Sequence, residues 1–172
     1  GEIFPCRLSA GLVKIDGSEF VQVVINDITE QKQAEEELKT SELRFRNLTE
    51  YIPVSIQGYR PDGTVFYWNK ASEQTYGYSA REALGKNLGD LIIPPGLEPL
   101  FQKALAAGSR IEESGEFMPS GELELLHRDG HRVPVYSIHT AVYLDGKNPL
   151  LYCIDIDLSE RRKMETELRK AR

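Results

Sequence analysis

The side chains best suited to chemistry lie on two neighbouring segments near the end of the chain. Ser137 and His139 alternate along one predicted strand, and Cys153 and Asp155 alternate along the next. Because alternate residues of a strand share a face, these four could line a polar pocket wall. The alternatives are that they lie on the outer face of the sheet, or that His139 is a satisfied core histidine.

An enzyme with Cys153 as nucleophile would need a histidine within hydrogen-bond reach of the thiol and an oxyanion hole. The sequence has no glycine-rich nucleophile elbow and no helix start beside Cys153, so we expect no enzymatic activity. His127 and His131 flank a predicted turn. Turn residues are usually exposed and metal sites need convergent partners, so we predict no metal site there.

Three aromatic residues complete the candidate ligand-binding set. Trp68 ends an aromatic segment, and flat rings bind flavins and aromatic metabolites well. The alternative is that Trp68 belongs to the core. The predicted ligand contacts are Trp68, Tyr76, Phe101, Ser137, His139 and Cys153.

The composition limits the kinds of partner. The 172 residues, 40% apolar and 28% charged, suffice for one packed domain plus connectors. A net charge of −6 argues against nucleic acid as a partner. The two cysteines lack a motif spacing, and no apolar run approaches the roughly 18 residues of a membrane span. We expect a soluble, cytoplasmic fragment without membrane contact of its own, whose parent protein could be anchored elsewhere.

Strands at both ends of the main domain enclose a run of short helices. The predicted strands are 54–59, 64–68, 122–126, 133–143 and 150–156, and the predicted helices are 70–76, 80–84 and 97–108. Asn69 and Ser79 are suited to cap the first two helices, and turns at Pro61-Asp62-Gly63 and Asp145-Gly146 join strands. This order predicts an α+β fold, with an antiparallel sheet and helices packed on one face.

The beginning of the chain repeats its end. Asp16-Gly17 and Asp27-Ile28-Thr29-Glu30 match Asp145-Gly146 and Asp157-Leu158-Ser159-Glu160 in the same order. A repeat of this length is a whole domain, so the chain begins in the last hairpin of one domain and contains a second. The predicted parts are that hairpin (1–29, with strands 4–12 and 20–25), a linker helix (30–50), a complete domain (51–157) and a signalling helix (158–172). Because exposed apolar strands recruit partners, we expect the hairpin to contact another copy or a neighbouring domain.

Apolar residues recur four and three residues apart along the linker. The pattern from Ala34 through Leu38 to Ile52 is typical of a coiled-coil seam, and Met164 and Leu168 offer an equivalent stripe. We therefore predict a homodimer formed through the linker helices. For the end of the pattern, from Phe45 onwards, the alternative is an amphipathic helix lying on its own domain.

The order of the elements and several short motifs resemble the PAS domain family. The motifs are Pro61-Asp62-Gly63-Thr64, Tyr67-Trp68-Asn69-Lys70-Ala71, Tyr76-Gly77-Tyr78-Ser79, Glu82-Ala83-Leu84-Gly85-Lys86-Asn87, Arg128-Asp129-Gly130 and Asp157-Leu158-Ser159-Glu160. The resemblance covers residues 43–157 as a full copy and 1–29 as the end of another. It implies a five-stranded antiparallel sheet with short helices on one face, flanked by connecting helices. It also implies a sensor or dimerisation module ahead of a histidine kinase, diguanylate cyclase or phosphodiesterase, in two-component or cyclic-di-GMP signalling.

The same resemblance bears on cofactors. The flavin-photoreceptor branch carries a reactive cysteine directly after a Gly-x-Asn element, but here Leu88 follows Gly85-Lys86-Asn87. The haem-binding branch uses a histidine from the helix before the last three strands, and residues 97–107 contain none. We therefore expect neither a flavin-thiol adduct nor a haem, and non-covalent flavin binding remains open.

Together these features predict a sensory and signal-transducing module that detects a small ligand or a partner domain. The alternatives are a ligand-free dimerisation spacer and a Cys/His-dependent enzyme. A cavity of a few hundred Å³ would favour the sensor, and a filled core the spacer. The residues predicted to transmit the signal are Asp27, Thr29, Asp157 and Ser159, with Thr29 and Ser159 as helix caps. The predicted partners are a second copy, the adjacent PAS domain and a C-terminal output domain.

Overall fold

A computed structural model describes residues 3–108, 119–143 and 149–171, and the chain divides into two compact units, residues 1–47 and 48–172. The first unit contains an antiparallel hairpin of β1 (Cys6–Ile15) and β2 (Ser18–Asp27) and most of helix α1 (Thr29–Tyr51). Asp16 and Gly17 at the hairpin turn have φ values of 51° and 83°, the left-handed geometry that a two-residue turn needs. Because this turn is so short, both strands run up to it, further than predicted.

The hairpin exposes apolar side chains. Leu12 and Val21 lie opposite each other across the two strands, with exposed fractions of 74% and 68%. Such a surface favours association with another apolar surface. The contact with another copy or a neighbouring domain stays a prediction.

The second unit is built from two strands, a run of short helices and three longer strands. Its elements are β3 (Ser55–Tyr59), β4 (Val65–Trp68), α2 (Lys70–Tyr76), α3 (Ala80–Ala83), α4 (Leu88–Ile92), a 3₁₀ turn (Pro95–Leu97), α5 (Glu98–Gly108), β5 (Gly121–Leu126), β6 (Arg132–Tyr143), β7 (Pro149–Asp157) and α6 (Ser159–Lys170). The strands pair antiparallel in the order β4-β3-β7-β6-β5. The predicted α+β fold with a five-stranded antiparallel sheet is confirmed; the predicted turn Asp145-Gly146 lies outside the described residues.

Side-chain caps set the starts of the short helices. The backbone N–H of Ser72 donates to Asn69 Oδ1 (3.0 Å), and Ser79 and Glu82 form the predicted capping box. Helix α4 was not predicted. It begins where Asn87 Oδ1 accepts from the backbone N–H of Gly89 (2.8 Å), and five residues are too few to show a helical period.

The core lies between the inner face of the sheet and the short helices. Alternate residues of β6 and β7 point inward, among them Val135 and Leu151, which are fully buried. From the helix side, Tyr76, Leu88 and Phe101 pack into the same cluster. None of the helices in the described part of the chain has the length and apolarity that crossing a bilayer requires.

Candidate functional site

A cavity of about 30 Å³ lies between the inner face of the sheet and helices α4 and α5. Most of its lining is apolar, and polar side chains come from β6, β7 and, through Tyr59, β3. The lining residues are Tyr59, Leu88, Ile92, Ile93, Leu97, Leu100, Phe101, Ala104, Leu123, Leu125, Ser137, His139 and Cys153. Since one water needs roughly 10 to 15 Å³ of such volume, the cavity has room for about two waters.

The structure brings four of the predicted ligand contacts to this cavity. Ser137, His139 and Cys153 face it from the sheet, and Phe101 closes it from α5. Ser137 and Cys153 are buried on the inner face, so the alternative that this set lies on the outer face is wrong. Strand alternation grouped these polar side chains on shared faces, and the packing of the helices determines that this face lines the cavity.

Trp68 and Tyr76 lie outside the cavity lining. Trp68 is 3% exposed, its indole N–H donates to the carbonyl of Tyr78 (3.0 Å), and its ring packs 5.7 Å from that of Tyr76. Trp68 thus occupies the core position that was its alternative. The prediction that these two rings contact a ligand gains no support from the cavity.

The buried carboxyl of Asp155 organises the polar side chains behind the cavity wall. The hydroxyl of Tyr76 donates to Asp155 Oδ2 and that of Ser137 to Oδ1, each at 2.5 Å. Burial raises the pKa of Asp155 to about 6, and the hydrogen bonds from Ser137, Tyr76 and Gln57 oppose that shift. A carboxyl so placed changes its charge near neutral pH, inside the core.

Ser137 also connects this carboxyl to His139. The Ser137 Oγ lies 3.2 Å from His139 Nε2 as well as 2.5 Å from Asp155 Oδ1. Burial lowers the pKa of His139 to about 4, so the imidazole is neutral at physiological pH. The wall of the cavity is therefore a neutral, hydrogen-bonding surface set in apolar surroundings.

Cys153 has the environment of a core thiol. Burial and the nearby Asp155 carboxyl raise its pKa far above the ordinary value, and Tyr59 Oη lies 3.4 Å from its Sγ. A nucleophilic cysteine needs the opposite, a site that stabilises the thiolate. This geometry gives no support to a Cys/His-dependent enzyme.

At the end of β7, Asp157 caps the last helix. The backbone N–H of Ser159 donates to Asp157 Oδ1 (2.7 Å), and no side chain caps the helix from Leu158, its N-cap residue. Ser159 lies inside the helix, so its predicted role as the cap is wrong. The first unit repeats the arrangement: Asp27 Oδ1 accepts from the backbone N–H (2.8 Å) and the hydroxyl (2.6 Å) of Thr29, so Thr29 is not the capping acceptor either.

A second link from α6 to the sheet was not predicted. Arg162 Nη1 donates to Glu124 (2.8 Å) and Nη2 to Glu122 (3.0 Å), both on edge strand β5. Arg161, one residue earlier, pairs with Glu165 inside the helix instead (3.0 Å). The alternating glutamates of β5 give a sequence signal, but only the register of the sheet places them beside Arg162.

Comparison with known proteins identifies the fold that carries this site. The family model described as PAS domain matches residues 53–160. The chain belongs to the PAS domain family. The matched region contains the cavity, the Asp155 network and the junction at Asp157.

Individual relatives agree with this assignment. The sensor protein FixL of Bradyrhizobium diazoefficiens is 30% identical over 91 residues, which are 52% of this chain; the chain spans 18% of that protein. The PAS domain of a Colwellia psychrerythraea protein is 26% identical, with a TM-score of 0.57 over 68% of this chain and 96% of that one. A domain of a Geobacter sulfurreducens sensory box sensor histidine kinase/response regulator shares the fold, with 22% identity and a TM-score of 0.54 over 70% and 96% of the two chains.

The loop between β5 and β6 of the PAS domain brings together a second group of titratable side chains. His127 and His131 lie at the predicted turn, and both approach the carboxylate of Asp129. Considered one by one, the two histidines were predicted to be exposed turn residues. Their spacing, with an aspartate midway in a tight hairpin, was the signal that they converge.

Proposed function

We propose that this chain is a sensory and signal-transducing segment of a bacterial signalling protein, in which the state of the PAS core is passed to helix α6. The parent would be a histidine kinase, a diguanylate cyclase or a phosphodiesterase. The family assignment supports a sensory role, and the FixL and histidine kinase relatives are consistent with a two-component parent.

One observation carries this proposal: alternate positions on one face of β7 belong to the cavity wall, to the buried network and, where the strand emerges at the surface, to the helix cap. Cys153 lines the cavity, Asp155 accepts the two buried hydroxyls, and Asp157 caps α6. A strand is stiff along its length and these residues share one face. A displacement at the cavity would therefore reach the first turn of α6 without an intervening loop.

Arg162 supplies a second constraint on the same helix. Its two ion pairs attach α6 to the edge strand β5, at Glu122 and Glu124. Exposed ion pairs contribute little to stability, about 0 to 1 kcal/mol each. Two pairs on one guanidinium nevertheless fix the direction in which the helix leaves the domain.

The input is a small neutral ligand or none. Ligand pockets usually measure roughly 300 to 1,000 Å³, whereas this cavity measures about 30 Å³. A flavin-sized ligand would require α5 to move away, with Leu100, Phe101 and Ala104. The small volume favours the second candidate function, a relay and dimerisation spacer that binds no ligand, over a sensor with a bulky cofactor.

A pair of arginine variants tests the relay. We expect Ser137→Ala, which removes one hydrogen bond to Asp155, to change the amide hydrogen exchange of residues 159–170. Arg162→Ala should weaken that response, and the matched control Arg161→Ala should leave it intact. If Ser137→Ala leaves exchange in α6 unchanged, the strand does not transmit to the helix.

A size series of alcohols separates the two kinds of input. With methanol through hexanol as probes, a sensor cavity should give saturable NMR shifts at Cys153 and Phe101 that Ala104→Leu abolishes by filling the space. Shifts that never saturate, in either protein, would identify a core without a ligand site.

A further inference from the structure

We propose that His127, Asp129 and His131 form a three-ligand site for a divalent transition-metal ion, with zinc as the reference ion. The site lies in the loop between β5 and β6 and is separate from the cavity. It requires no change in the proposed relay, and the relay does not depend on it.

The turn holds the two imidazoles on the same side of the hairpin. The backbone N–H of His127 donates to the carbonyl of His131 (2.9 Å), so the two residues are cross-strand neighbours. Gly130, with a φ of 93°, allows the chain to reverse within three residues. The rings stack with their centroids 4.4 Å apart and their planes 25° apart.

All three residues direct a ligand atom to one point. Asp129 Oδ1 lies 2.9 Å from His127 Nδ1 and 2.5 Å from His131 Nδ1, and the three atoms lie within 4.8 Å of one another. Ligands at 2.0 to 2.1 Å from a tetrahedral zinc ion are about 3.3 Å apart. Each imidazole would therefore move away from the carboxylate by less than about 1 Å.

The carboxylate is positioned before any ion arrives. The backbone N–H of His131 donates to Asp129 Oδ1 (3.1 Å), which holds this oxygen between the rings. The backbone N–H of Asp129 donates to His127 Nδ1 (3.2 Å). The ion would replace that hydrogen bond and the imidazole contacts to the carboxylate oxygen.

Helix α2 supports the ring of His127 from behind. A Cβ atom on Gly77 would lie 2.6 Å from His127 Nε2, so the ring rests against this glycine with Nδ1 turned to Asp129. The N–H of Arg128 donates to the carbonyl of Tyr76 (2.9 Å), and its guanidinium pairs with Glu82 (2.9 Å). The loop is thus attached to the rest of the domain at His127 and at Arg128.

The ligand set selects the class of ion. Two imidazole nitrogens and one carboxylate suit zinc and its first-row neighbours, whereas calcium and magnesium prefer sites made of oxygen. Three protein ligands leave a position for water or for a side chain of a partner. A modest affinity is expected, because His131 and Asp129 are more than half exposed.

Zinc competition against an indicator dye of micromolar affinity tests the site. All proteins carry Cys6→Ser, because Cys6 is an exposed thiol that could bind zinc by itself. We expect one zinc ion per chain, and a weakening of about tenfold or more for His131→Gln and for Asp129→Asn. Cobalt substitution should give absorption bands of a coordinated ion that both variants lose.

Asp62→Asn is the matched control, because Asp62 is an exposed turn aspartate that also accepts a backbone N–H (2.8 Å, from Thr64) but has no adjacent histidine. The Asp62→Asn variant should bind zinc as tightly as the protein that carries Cys6→Ser alone. Failure of the protein with Cys6→Ser alone to compete with the dye would overturn the proposal. Equal weakening by Asp62→Asn and Asp129→Asn would do the same, since it would show general surface binding. Asp129→Asn keeps the turn's backbone acceptor, so folding does not limit the test.

Discussion

Replacing Asp155 with asparagine should change how the stability of the PAS domain depends on pH. The folded domain holds the pKa of this carboxyl at about 6, against 3.8 ordinarily. Between these values the folded state keeps a proton that the unfolded state has lost. The stability contributed by Asp155 is therefore fully present below about pH 4 and is lost as the pH rises to about 6.

The size of this effect follows from the interval between the two pKa values. At about 1.4 kcal/mol per pH unit, the interval from 3.8 to about 6 corresponds to about 3 kcal/mol. The carboxyl is fully buried, so solvent does not screen the effect. In the asparagine variant this contribution is absent at every pH.

His139 contributes with the opposite sign in nearly the same pH range. The folded domain lowers its pKa from 6.5 to about 4, because burial disfavours the imidazolium. As the pH falls through this range the unfolded state gains a proton and the folded state does not, so stability is lost toward acid. The interval again corresponds to at most about 3 kcal/mol, less where solvent reaches the ring. In the wild-type domain the two contributions nearly cancel.

Urea unfolding at a series of pH values from about 4 to 7 measures both contributions. Trp68 is the single tryptophan and is buried in the PAS domain, so its fluorescence reports the unfolding of this unit. Relative to wild type, Asp155→Asn should lose about 3 kcal/mol more on acidification, and His139→Gln should lose less, by at most about 3 kcal/mol. Asp90→Asn, which removes an exposed carboxyl, is the control. If the Asp155→Asn and wild-type curves run parallel, the charge of Asp155 is not coupled to folding in this way.

Three further tests have defined outcomes. Asp157→Ala should cost about 1 kcal/mol of stability and fray α6 by circular dichroism, whereas Ser159→Ala should cost little; a larger loss for Ser159→Ala would contradict the assignment of the cap. Leu38→Asp should weaken a dimer about tenfold or more, since a buried leucine contributes roughly 1.5 to 3 kcal/mol, and a monomeric wild type in light scattering at high concentration would refute dimerisation through the linker. Gly77→Ala should destabilise more than Gly85→Ala, because both have a left-handed φ (78° and 77°) but only Gly77 faces the ring of His127; equal melting temperatures would argue against that contact.

Local chemistry explains why most of the fold was predictable. Asn69 and Ser79 cap their helices through backbone groups three residues further on, and the Asp16-Gly17 turn depends on its own backbone angles, so these effects can be predicted from the chain alone. Strand alternation predicted that Ser137 and His139 share one face and that Cys153 and Asp155 share one face, but not which face of the sheet points inward. Helix α4 escaped prediction because a five-residue helix rests on its cap and its neighbours, and shows no period of its own.

The geometry of the candidate site could not be predicted from local sequence patterns, because it depends on contacts between residues far apart in the sequence. Tyr76 and Asp155 are far apart in sequence, and the packing of α2 on β3 together with the register of β3 against β7 brings them together. The volume of the cavity depends on how closely α5 packs on the sheet, which sets whether a polar wall becomes a pocket or a filled core. The cap at Asp157 was misassigned to Ser159 because both types are good caps, and only the backbone geometry shows which oxygen faces a free N–H.

The two clusters of titratable residues meet at the end of helix α2. Tyr76, its last residue, donates its hydroxyl to Asp155 inside the core, while its backbone carbonyl accepts the N–H of Arg128 in the loop that carries His127 and Asp129. Tyr76 thus contacts the buried carboxyl through its side chain and the histidine loop through its backbone carbonyl. Because Asp155 lies between Cys153 and Asp157 on β7, a shift of α2 caused at the loop would act on the same strand that the cavity acts on. Under the proposed relay, such a shift would reach the helix after Asp157 through β7, the same element that contacts the cavity.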